Sequence, residues 1–187
     1  MKKSIGTRQL VIMATMAALS VALVFLVHFP IFPQAPFLEY DPADIPILIV
    51  SFAYGPLSGL IVTVIAAVVQ GLTVSAQSGI YGILMHLLST GTFVLTAGLL
   101  YRVKNSRPGA AIALVCGVLA SAAVMAGANL VITPIFMGAP VEAVKAMLLP
   151  VIIPFNLAKS GINAALMAAI YLPIKPALEK FLNDKKT

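Results

Sequence analysis

Long apolar runs recur along nearly the whole chain, and they leave little room for anything else. A helix needs about 20 consecutive apolar residues to cross a bilayer. Segments near 9–29, 44–54, 57–74, 80–103, 109–132 and 154–174 approach that pattern, separated by short turns or loops. Across the 187 residues, 60% are hydrophobic and 10% charged. Soluble domains run at about 45–50% apolar and about 25% charged. So small a globule cannot hide that excess in its core, because its surface is large relative to its volume. A soluble globule, a disordered chain and a disulfide scaffold are thereby excluded. Cys116 lies inside an apolar run and reads as packing. The expected fold is an all-α integral membrane protein, a single domain of six transmembrane helices.

The first run follows Lys2, Lys3 and Arg8, as a signal peptide would. It is longer than the 7–15 residues of such an apolar region, no small-residue cleavage site closes it, and it is expected to be a retained helix. Pro30, Pro33, Pro36 and Pro42 then forbid helix and predict a proline-held loop. Gly55-Pro56 predicts a tight turn between two helices, Pro134 a helix stop, and 138–149 an interfacial stretch. Lys and Arg placement sets orientation. With both termini cytoplasmic, the inner side holds Lys2, Lys3, Arg8, Arg102, Lys104, Arg107, Lys175, Lys180, Lys185 and Lys186, leaving Lys145 and Lys159 outside. Basic ends beside anionic headgroups account for the net charge of +6 without a nucleic-acid partner.

The last run, PFNLAKSGINAALMAAIYLP, carries the clearest chemical signal. Asn156, Lys159, Ser160 and Asn163 are spaced i, i+3, i+4 and i+7, hence on one helical face. A lysine in a span is costly and either snorkels to the headgroups or faces a wet cavity. The accompanying amides favour the cavity, since snorkelling requires none of them. Asn129 sits at similar depth in another run; it either bonds a neighbouring helix or shares that pocket. Amides and one ammonium can read the polar edge of a heterocycle. Tyr81, Met85, Phe155 and Phe136 can supply flat or soft walls. The loop with Leu38, Glu39, Tyr40 and Asp41 lies on the same side and can cover the pocket. Ala14, Ala18 and Ala22 recur at i, i+4 and i+8, a spacing that lets another helix approach closely.

Catalytic signatures are missing. There is no GxxxxGK[ST] loop, no HExxH and no cysteine pair; His28 and His86 stand apart. No paired carboxylates lie deep in the runs, as a proton relay would require. An enzyme is not expected, and a stand-alone secondary carrier is the weaker alternative.

Two stretches, PFLEYDPADIPILI from Pro36 and PFNLAKSGIN from Pro154, together resemble the substrate-binding (S) subunits of energy-coupling factor (ECF) vitamin transporters, most closely the riboflavin-specific ones. The resemblance covers most of the chain, and the alanine stripe is similar to the surface by which such subunits dock. It implies a multi-pass plasma-membrane protein that binds riboflavin in an outward-facing pocket and needs no cofactor. It implies partners as well: a transmembrane coupling (T) subunit and two cytoplasmic ATPases. Carried over by motif position, Asn129, Asn156 and Lys159 are ligands of the flavin, with Tyr40, Asp41, Gln77 and Tyr81 contributing. The ribityl hydroxyls can meet Gln77, Ser160 or loop backbone. Riboflavin is favoured over its 5′-phosphate by the resemblance alone, and a different vitamin remains the alternative within the family.

Overall fold

A computed structural model describes residues 5–183; Lys2, Lys3, Lys185 and Lys186 of the charge argument lie outside the described residues. The chain is mainly helical: α1 (Thr7–Leu26), α2 (Asp44–Tyr54), α3 (Pro56–Leu72), α4 (Gly79–Val103), α5 (Arg107–Met137), a short α6 (Val141–Met147) and α7 (Ile153–Asn183). Four stretches are long and apolar enough to cross a membrane, namely Thr7–Leu26, Ala76–Val103, Arg107–Met137 and Val141–Leu178. α2 has 11 residues, about 16 Å at 1.5 Å per residue, roughly half a bilayer core.

Each long helix buries one stripe and exposes the other. On α1 the buried residues are Met13, Ala17, Ser20 and Val24, while Leu10, Val11, Phe25 and Leu26 are exposed. Exposed large apolar residues recur on α3, α4, α5 and α7 as well. Such a girdle is unstable in water and matches acyl chains. α2 is the exception. Every residue from Tyr40 to Leu48 is buried, so α2 enters the centre of the bundle instead of skirting it. Around it lies the main core, with Ile47, Leu48, Val62, Phe93 and Met167 almost wholly buried.

Close helix approach rests on small residues. A Cβ on Gly117 would run into the Phe93 ring, and one on Gly98 into Ser51 and Pro56. Gly55 has φ 98°, which side chains avoid, and Pro56 starts α3 directly after it. The α2–α3 turn is therefore as tight as the Gly-Pro pair predicts.

Three boundaries differ from the sequence reading. α1 ends at Leu26, short of residue 29, where the loop begins. α5 continues through Pro134 to Met137 and stops at Gly138, φ 59°. A proline one turn from a helix end removes a single late hydrogen bond, so the left-handed glycine is the true stop. The 138–149 stretch is mostly helical and runs on into the last helix: α6 joins α7 through a π-helical turn, Leu148–Ile152, and α7 then passes Pro173 and Pro176 to Asn183. The wider π turn accommodates Pro150 within a continuous helical path.

The proline-held loop is ordered. A minimal antiparallel pair, β1 (Phe29–Pro30) with β2 (Glu39–Tyr40), aligns Phe29 with Tyr40, their rings 5.4 Å apart. Ala35 and Leu38 pack into a second apolar cluster with Val144, Val151, Ile152 and Phe155, which ties the loop to α6 and the start of α7.

Candidate functional site

The ends of α3 and α5 and the starts of α4 and α7 meet beneath this loop, and they enclose a cleft. Its atom-free space is ≈ 970 Å³ with the open mouth included, of which ≈ 150 Å³ admits the centre of a water-sized sphere. Small-molecule sites commonly span about 300–1,000 Å³.

One wall comes from α4, where Tyr81, Met85, His86, Ser89 and Thr90 recur at helical spacing on one face, with Ser78 just before the helix. α3 adds Ala67, Gln70 and Gly71, and α5 adds Met125, Ile132, Thr133 and Phe136. α7 contributes Phe155, Asn156 and Lys159, and the loop contributes Phe37, Leu38, Glu39 and Asp41. The aromatic part is continuous. Tyr81 meets Phe136 edge-on with centroids 5.9 Å apart, and Phe136 lies 6.3 Å from Phe37.

At the α7 side the Lys159 ammonium donates to Asp41 Oδ2 at 2.6 Å and to the Glu39 carbonyl at 3.3 Å. Both side chains are nearly out of water, at 16% exposure for Lys159 and 11% for Asp41. Burial by itself would push the Asp41 carboxyl up. The Lys159 charge and hydrogen bond, the nearby His86 and the Ala43 N–H outweigh it and hold the carboxyl below its ordinary range. Burial raises the Tyr40 phenol, and Asp41 and Asp44 push it the same way.

Beneath the pair lies a satisfied polar network. Asn163 Nδ2 donates to the Asp41 carbonyl at 3.0 Å and to Asp44 Oδ2 at 2.9 Å, while its Oδ1 accepts from the Tyr40 hydroxyl at 3.1 Å. Thr90 donates to Asp44 Oδ1 at 2.6 Å, and Ser20 on α1 donates to the Ala43 carbonyl at 2.7 Å. Three helices, α1, α4 and α7, thus pin the segment from Tyr40 to Asp44. That buried polar groups be hydrogen-bonded is what makes so apolar a bundle tolerate them.

The residues singled out from sequence divide accordingly. Lys159, Asn156, Asp41, Tyr81, Met85, Phe155, Leu38 and Phe136 line the cleft. Asn163, Tyr40 and Ser160 are buried and do not line it; the first two belong to the network. Asn129 is fully buried and off the cleft surface; its Nδ2 donates to the Met125 carbonyl and its Oδ1 accepts from Thr133, which does line the cleft. Gln77 is exposed in the α3–α4 turn and off the cleft, while its neighbours Ser75 and Ser78 line it. Ala14, Ala18 and Ala22 are exposed on α1, along an apolar groove shared with Phe25, Ile65 and Val69. Sequence reasoning read His86 as standing apart, and passed over Gln70, Ser89 and Thr90. Gln70 alone left a trace, as the one long polar side chain in the apolar run of α3. Among the described residues, no group of three or more His, Cys, Asp or Glu is placed to hold a metal ion.

A bundle with an apolar girdle and one cleft that joins an aromatic wall to a polar end is a membrane protein built to hold a small molecule. The chain belongs to the ECF transporter, substrate-specific component family, whose model matches residues 8–171. It is a transport protein of that family and not an enzyme. The riboflavin transporter FmnP of Bacillus subtilis (strain 168) is 29% identical over 182 residues, 92% of this chain and 95% of the relative. The riboflavin transporter RibU of Staphylococcus aureus (strain TCH60) is 25% identical over 170 residues, 88% of each chain. A solved structure of the S component of a bacterial ECF transporter superposes with a TM-score of 0.75 at 25% identity, covering 94% of this chain and 98% of the other.

Proposed function

We propose that this chain captures riboflavin from outside the plasma membrane and delivers it inward with a separate T subunit and two cytoplasmic ATPases. The cleft carries the reading: it joins flat apolar walls to one localised polar end, the shape of an isoalloxazine with its single polar edge. Lys159 and Asn156 face that edge, Tyr81, Phe136, Phe155, Met85 and Leu38 enclose the rings, and Asp41 orients the lysine. Asn129, Asn163, Tyr40 and Ser160 support these groups from behind. Two relatives that align along most of their length are named riboflavin transporters, which supports the same ligand. Glu39 and Asp41 against the one Lys159 leave the cleft mouth net negative, which favours riboflavin over its phosphate.

An outward-facing cleft is supported by charge. Arg8, Arg102 and Arg107 sit at helix ends opposite it, and Lys175 bonds Asn105 in the α4–α5 turn on the same side, the distribution expected of a cytoplasmic face with both termini inside. The groove bearing Ala14, Ala18 and Ala22 is the proposed seat of the T subunit.

Titration of the detergent-purified protein with riboflavin, followed by quenching of flavin fluorescence, tests the reading. Saturable binding is expected, with the 5′-phosphate at least about tenfold weaker. Absence of binding for either flavin would overturn the assignment. Flavin uptake by this chain alone in liposomes would replace the subunit by a stand-alone carrier.

A further inference from the structure

Two polar atoms on the α3–α4 wall of the cleft differ from the other buried polar groups. Gln70 Nε2 on α3 and His86 Nε2 on α4 are buried and have no hydrogen-bond partner among the described residues. Both residues line the cleft, and Gln70 is 5% exposed. The contrast with their surroundings is sharp: Asn129, Asn156 and Asn163 are buried at comparable depth, and each has its amide nitrogen bonded. A buried donor left unpaired is rare in a folded protein, and one that faces a binding cleft is free to bond a ligand group.

Local packing holds Gln70 in this position. The next residue, Gly71, lies so close to the Ile83 side chain on α4 that a Cβ there would collide with it. The close α3–α4 contact directs Gly71 toward Ile83 and leaves the Gln70 amide on the cleft side. Ser75 and Ser78, in the turn that follows, line the cleft next along the chain.

We infer that Gln70 and His86 recognise the hydroxyl-bearing chain of the ligand, and that these two groups on the α3–α4 wall make the site selective for a flavin that carries a polyol. The inference rests on the flavin reading above. Its chemistry follows from the atoms. Gln70 Nε2 is a donor and requires an acceptor; His86 Nε2 donates or accepts according to tautomer. A hydroxyl does both, so it satisfies either tautomer as well as the amide. The serine hydroxyls alongside suit a flexible polyol that needs several small partners. Lys159 offers only donors, which suits ring carbonyls.

The test compares riboflavin with lumiflavin, which has the same ring system and a methyl group in place of the ribityl chain. Gln70→Met, close to isosteric, is expected to weaken riboflavin at least about tenfold and to leave lumiflavin within about twofold. Gln70→Leu, which removes the amide altogether, and His86→Phe are expected to act in the same sense. A purely structural role would lower both affinities together. Parallel losses, or no loss of riboflavin in any of the three variants, would overturn the inference while leaving flavin binding intact. Failure of the unaltered protein to bind either compound would overturn the flavin assignment and this inference with it.

Discussion

Replacing Lys159 by methionine keeps most of the stem's volume and removes the charge that faces Asp41. In the unaltered protein the pair is 2.6 Å long, with side chains 16% and 11% exposed. Removing one partner of a buried pair costs about 3–5 kcal/mol, because the other charge is left uncompensated. Residual water contact and the Ala43 N–H, 3.0 Å from Asp41 Oδ1, put the expected cost at the low end, about 3 kcal/mol. The cost falls on docking of the 35–43 segment, which Lys159 holds at Asp41 and at the Glu39 carbonyl. At about 1.4 kcal/mol per decade, amide exchange in that segment speeds up about 100-fold.

The pH dependence changes sign as well. In the unaltered protein the docked Asp41 carboxyl lies below its solvent value of about 3.9. Its contribution to docking is complete above that value and is lost as pH falls through the lowered one. Without Lys159, burial dominates and the docked carboxyl rises. Docking is then strongest at low pH and weakens as pH rises through the raised value. Hydrogen–deuterium exchange between about pH 5 and 8, corrected for intrinsic rates, reads both effects. Tyr40, Asp44 and His86 also face Asp41, so Asp41→Asn with Lys159→Met is the control, and it is expected to abolish the new pH dependence. Unchanged loop protection in Lys159→Met, or a pH dependence that survives in the double variant, would refute the reasoning.

Asn163→Leu removes three hydrogen bonds at once, one of them to the Asp44 carboxylate; a loss of about 2–3 kcal/mol is expected as a lower thermal midpoint in detergent, and an unchanged midpoint would show the network to be dispensable. Gly98→Leu forces a side chain against Ser51 and Pro56 and is expected to cost about 1–3 kcal/mol, whereas Gly127→Leu, where a Cβ meets nothing, should leave the midpoint nearly unchanged. Equal effects of the two would contradict the close α2–α4 contact. Ala18→Trp fills the exposed α1 groove far from the cleft; it is expected to spare flavin binding and abolish uptake in cells that contain the coupling module. Normal uptake by that variant would discard the groove as a docking surface.

Much of the architecture was legible because it depends on local chemistry. Apolar run length sets spans, Gly55-Pro56 sets a turn, and 3.6-residue periodicity puts Asn156, Lys159, Ser160 and Asn163 on one face without reference to any neighbour. The same locality explains the misplaced ends. Pro134 reads as a break, yet it sits a single turn from a helix end.

What each polar group does was not legible, since it depends on what a distant segment brings to it. The partner of Lys159 is 118 residues away, and that of the Asn163 amide 119. Three helices and the loop divide one polar stripe into a cleft-facing part, Asn156 and Lys159, and a buried part, Ser160 and Asn163. They also leave Gln70 and His86 unpaired beside the same space. Sequence by itself determined where the chain meets lipid, because transfer free energy adds up residue by residue. Only the tertiary structure decided which donors were paired and which were left for a ligand, because a hydrogen bond needs two specific atoms within about 3 Å and the fold alone brings them there.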